Sequence, residues 1–98
     1  MSADPLEMTG VGVFMNYLWE KFPEHDVSPI SFKWSRKPVH EFEVETGSGM
    51  CVIEVASSVL RRRPGEIRNL LNQWGLVGAV SQHRRLLVSD TGISPRAS

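Results

Sequence analysis

Six arginines fall within twenty-five residues of this 98-residue chain: Arg61, Arg62 and Arg63 in a row, Arg68, and the pair Arg84–Arg85. Guanidinium groups in such runs neutralise phosphates. The interleaved Asn69, Asn72 and Gln73 are types that pair bidentately with base edges, as Arg does with guanine. His83 adjoins the second arginine group. This set suits recognition of nucleic acid rather than the making or breaking of bonds.

Bond-making chemistry has no comparable constellation. The histidines, His25, His40 and His83, are scattered, and no HExxH, paired Cys-x-x-Cys, nucleophile elbow or phosphate loop occurs. Glu24-His25-Asp26 reads as a polar turn after Pro23, since three consecutive residues rarely converge on one ion. Glu41, Glu43 and Glu45 alternate along one strand and read as its solvated face. Cys51, in "MCVIEVA", reads as a small buried hydrophobe with a reduced thiol. His40 could lie beside it across a hairpin, but no electropositive setting is visible. The chain is therefore expected to be no enzyme, with no catalytic residue, metal or cofactor.

The net charge is zero, so no overall field favours a polyanion. Its distribution is uneven: residues 1–59 hold nine acids and four bases, and residues 60–98 hold two acids and seven bases. The two halves differ by ten charges, a hint of a polyanion-facing surface or of halves that neutralise one another. An apolar share of 41% and a charged share of 22% are those of a globular chain. No apolar run approaches the roughly 20 residues of a membrane span, and Met1–Pro5 lacks the basic, apolar pattern of a signal peptide. A cytoplasmic protein with no membrane partner is expected.

The elements that would position these residues are legible in outline. Val11, Phe14, Met15, Leu18 and Phe22 share one helical face, predicting a helix near 11–22 closed by Pro23. "ISFKW" (30–34) and "HEFEVET" (40–46) alternate as half-buried strands, with a turn at Gly47-Ser48-Gly49. "MCVIEVASSVLRRR" fits a strand that becomes helix near Val55. Pro64 opens a second helix near 64–74, with Ile67, Leu70, Leu71 and Trp74 inward and Gly75 as its stop. "LVGAV" and "RRLLVSD" predict a C-terminal β-hairpin around Ser81-Gln82-His83, residues 76–89. The expected whole is one α+β domain, 1–98, with 1–8 and 90–98 as flexible ends.

Residues 55–89, in the order short helix, turn at Arg63-Pro64-Gly65, helix ending in "WGLV", basic hairpin, resemble a winged helix-turn-helix DNA-binding domain. The resemblance covers about a third of the chain and rests on apolar spacing. It implies duplex-DNA binding through helix 61–74, with Arg68, Asn69, Asn72 and Gln73 at base edges. Arg61, Arg62 and Arg63, and His83, Arg84 and Arg85 on the wing, would meet phosphates. That family leads in with helices, whereas 30–54 reads as strands. The order helix, three strands, basic helix is also similar to a double-stranded RNA-binding domain, with Arg61, Arg62, Arg63 and Arg68 across the major groove. The alternative from another class is a protein-interaction adaptor or inhibitor, in which Trp19 or Trp34 anchors a partner.

Overall fold

In the computed structural model of the chain, which describes residues 5–23, 27–29, 39–46 and 49–96, the first element is helix α1, Pro5–Lys21. It starts six residues before the predicted stripe. Pro5 suits a first turn, where no amide donor is needed, and Thr9 Oγ1 donates to the Pro5 carbonyl. Gly10 belongs inside this helix for a steric reason. A Cβ there would lie 1.8 Å from the carbonyl oxygen of Leu60, so only glycine allows the close approach.

Strands β1 (Val27–Pro29), β2 (Val39–Thr46) and β3 (Gly49–Ala56) form an antiparallel meander. The strand expected at 30–34, with Trp34, lies outside the described residues, as do Glu24, His25 and Asp26. β3 passes directly into helix α2 (Ser57–Leu60), one residue from the expected switch. Helix α3 (Pro64–Trp74) follows, and ends on Gly75 in the left-handed conformation (φ 72°, ψ 44°).

The predicted hairpin at 76–89 is corrected by the structure. Leu76–Gln82 is a helix, α4, with Leu76 and Val80, four residues apart, buried on one side. A five-residue apolar run fits either period, and here the helical one wins. Strand β4 (Arg85–Ser89) then pairs with β3 in parallel, not with 76–80. A parallel pair needs a crossover of a dozen or more residues, and α2, α3 and α4 supply it. The C-terminal hairpin exists one element later. β4 turns through Asp90 and Thr91 into β5 (Gly92–Pro95), and the Arg96 amide donates to the Arg85 carbonyl at 2.8 Å.

The domain is thus α+β, with a five-stranded mixed sheet in the order β1-β2-β3-β4-β5. Phe42, Val44, Cys51, Ile53, Val55, Leu86 and Val88 line one sheet face and share a core with Phe14, Leu18, Leu60, Ile67, Leu71 and Leu76. Phe14 and Phe42 stack at 4.6 Å between centroids. Ile67 and Leu71 are fully buried; Leu70 and Trp74 are half-buried. No described helix is long and apolar enough to cross a membrane.

Candidate nucleic-acid interface

The arginine run occupies the corner between α2 and α3. The Arg61 amide donates to the Ser57 carbonyl and the Arg62 amide to that of Val59, closing α2. Arg63 is the residue before α3, extended at φ −66° and ψ 146°, and its carbonyl accepts from the Ile67 amide.

Their fates differ. Arg61 and Arg63 are exposed and make no direct ion pair among the described residues, although the charge of Arg61 also acts on the Asp90 carboxylate. Arg62 turns back, its two terminal nitrogens donating to Glu66 Oε1 at 2.9 Å and Asp90 Oδ1 at 3.1 Å. Ser58 Oγ donates to the other Asp90 oxygen at 2.5 Å. Those hydrogen bonds, Ser58's first and Arg62's second, hold the Asp90 carboxyl below its ordinary range. The Nε of Arg62 is buried without a partner.

One turn into α3, the predicted base readers separate. Arg68 pairs with Glu20 of α1 and lies 5.6 Å over the Tyr17 ring. Asn72 Oδ1 accepts from the buried Tyr17 hydroxyl at 2.8 Å. Both clasp α1 to α3. Asn69 and Gln73 are exposed and carry no such contact. They share the outer face of α3 with Gly65 and Glu66.

His83, Arg84 and Arg85 are not brought to this corner. β4 runs parallel to β3, with Val52 opposite Arg85 and Val55 opposite Val88. Arg85 thus sits opposite the middle of β3, whereas the α2–α3 corner follows the end at which β3 finishes. The length of β4, about 17 Å at 3.3 Å per residue, lies between them. Arg85 is paired with Glu54 at 3.1 Å, His83 is half-buried, and Arg84 is exposed. The ten predicted residues therefore divide into a corner (Arg61, Arg62, Arg63), a clasp (Arg68, Asn72), the outer face of α3 (Asn69, Gln73) and a distal group (His83, Arg84, Arg85). Sequence reasoning missed Ser58, Asp90 and Glu20. Only the four-residue spacing of Arg62 and Glu66 was a signal for the ion pairs.

The proposed adjacency of Cys51 and His40 does not occur. Cys51 is opposite Val44, and His40 is opposite Val55, with its ring bonded to Glu7 at 2.8 Å. The Cys51 thiol is buried, and burial pushes it up to about 11. It lines a cavity of about 120 Å³ with Val80, His83 and Arg84. No group of three or more His, Cys, Asp or Glu placed to hold a metal occurs among the described residues.

No protein-family model, curated protein or solved structure matches the chain.

Proposed function

We propose that the protein is a small non-catalytic nucleic-acid-binding domain that grips the phosphate backbone with the α2–α3 corner. The observation that supports this reading is the pair Arg61 and Arg63, exposed beside the start of α3 and, among the described residues, in no direct ion pair. In a chain of zero net charge, exposed guanidinium groups held in no direct ion pair on one corner are where a polyanion gains counterion release. Asn69 and Gln73, on the adjoining helix face, are the side chains that would reach bases. Arg84, at the far end of β4, adds nothing to this footprint. Few phosphates are engaged, so binding is weak and salt-sensitive, on duplex DNA as on RNA.

Fluorescence anisotropy with a labelled duplex DNA and a labelled duplex RNA of random sequence tests the reading. Binding of either tighter than about millimolar at ~50 mM salt, lost in Arg61→Ala/Arg63→Ala, supports it. No binding at that salt removes it.

A second reading, a protein-interaction adaptor, is favoured by the outer side of α1. Trp19 is 51% exposed and Met8 39% exposed, eleven residues apart on that side. Exposed tryptophans are frequent anchors of interfaces. Trp19→Ala separates the two readings, because it should leave nucleic-acid affinity unchanged.

A further inference from the structure

The sheet has a second face. By strand alternation Glu41, Glu43 and Glu45 of β2, Met50, Val52 and Glu54 of β3, and Arg85 and Leu87 of β4 point away from the core. All are half-buried or exposed, Met50 by 47%. The described helices pack on the opposite face, with the buried rows Phe42–Ile53–Leu86 and Val44–Cys51.

Charge on this outer face is segregated. One row across the sheet reads Glu43, Val52, Arg85, Arg96, and the next reads Glu41, Glu54, Leu87, Ser94. Unpaired carboxylates among the described residues lie on β2 and guanidinium groups on the β4–β5 side; between them lie Val52, Leu87 and the Glu54 carboxylate. Arg85 is satisfied by Glu54. Glu41, Glu43, Glu45 and Arg96 have no ion partner among the described residues. Glu41 lies directly opposite Glu54, a like-charge pairing that costs a free sheet stability.

We infer that this face binds the same face of a second copy of the chain, about a two-fold axis parallel to the strands and between β3 and β4. That axis exchanges β2 with β5 and β3 with β4. It sets Glu43 over Arg96 of the second copy, Glu41 over its Ser94, and Glu54 over its Leu87. Val52 meets the aliphatic stem of the second copy's Arg85. Each contact occurs twice, as an isologous interface requires, and two sheets stack with strands nearly aligned. An axis perpendicular to the strands would instead lay Glu43 against Glu43. The face covers on the order of 300 Å² per copy from strand spacing and rise. That is well below the roughly 800 Å² of a stable complex, so the pair is weak. Because the axis follows the strands, both α2–α3 corners emerge at the same end of the pair, which offers two arginine corners to one ligand.

Sedimentation equilibrium of the full chain, without nucleic acid, tests this up to about 1 mM, the weak end of useful affinities. Wild type should approach dimer mass, with a dissociation constant of roughly 10 µM to 1 mM. Glu43→Arg or Arg96→Glu alone should weaken association about tenfold, and together they should restore it, since rim charges set register. Val52→Lys should abolish it. The two rim exchanges keep the test decisive if that variant fails to fold. A wild type that stays monomeric at the highest concentration overturns the proposal, and so does a double exchange as weak as either single one. Nucleic-acid binding by a monomeric protein would leave the corner's reading intact.

Discussion

Two arginines on either side of one helix turn have opposite surroundings. Arg63 stands exposed before the first residue of α3, while Arg68 is locked against Glu20 and the Tyr17 ring. Both asparagines are exposed, but Asn72 receives the Tyr17 hydroxyl and Asn69 carries no such contact among the described residues. Residue type does not distinguish the members of either pair. What distinguishes them is whether α1 passes beside that side of α3. The clasp ties α1 to α3, and the corner is left exposed at Arg61 and Arg63.

That division can be broken most forcefully at Gly10. Gly10→Ala would drive a methyl group into the Leu60 backbone, forcing α1 away from α2. A loss on the order of 3 kcal/mol in chemical denaturation is expected, as for an overpacked core. Gly12, in the same helix, has open space around it. Gly12→Ala should instead be neutral or stabilising by up to about 1 kcal/mol. Equal effects from the two would mean that the close contact of α1 with α2 does not form.

A smaller effect is expected at the clasp. Tyr17→Phe removes one hydrogen bond to Asn72 and should cost about 1 kcal/mol of stability. It should leave nucleic-acid affinity unchanged, because no corner arginine depends on it. Arg61→Ala with Arg63→Ala should do the reverse. Exposed changes of this kind lie within about 0.5 kcal/mol of wild-type stability, while affinity falls. If Tyr17→Phe lowered affinity as far as the double arginine variant, clasp and corner would be one site.

The smallest expected effect concerns acid. The folded-state pKa of Asp90 lies below its ordinary value of 3.8, through the Ser58 and Arg62 hydrogen bonds. Its contribution is therefore fully present above that ordinary value, and is lost as the pH falls through the lower folded value. Asp90→Asn should make stability less dependent on pH below about 4 and change nothing at pH 7 beyond the lost ion pair. An unchanged acid limb of the stability profile would show that Asp90 does not hold Arg62.

How much of this could be read along the chain follows from the range of each interaction. α1, β2 and α3 have strict periods over seven or more residues, and each is where those periods put it, with boundaries moved mainly at Pro5; residues 50–60 fit both periods, and the structure makes them strand to Ala56 and helix from Ser57. Leu76–Val80 is too short for its period to choose, and its neighbour Gly75 serves as the stop of one helix and the start of another. The parallel partner of β4 is distant in sequence, so local pattern pointed to a hairpin with 76–80 instead. In the candidate site, the arginine run was plain. The ties from Arg68 to Glu20 and from Asn72 to Tyr17 span 48 and 55 residues, and no spacing rule reaches that far.

The central claim is that two exposed arginines at one corner, neither in a direct ion pair among the described residues, supply the contact with nucleic acid. The most direct test is the slope of log affinity against log salt for a random duplex DNA, in wild type and in Arg61→Ala/Arg63→Ala. Wild type should give a slope near −2, at about 0.9 per phosphate contact, and the double variant a slope near zero. Arg84→Ala, at the other end of β4, should keep the wild-type slope. A slope that survives the loss of Arg61 and Arg63, or that falls only with Arg84, would contradict the account.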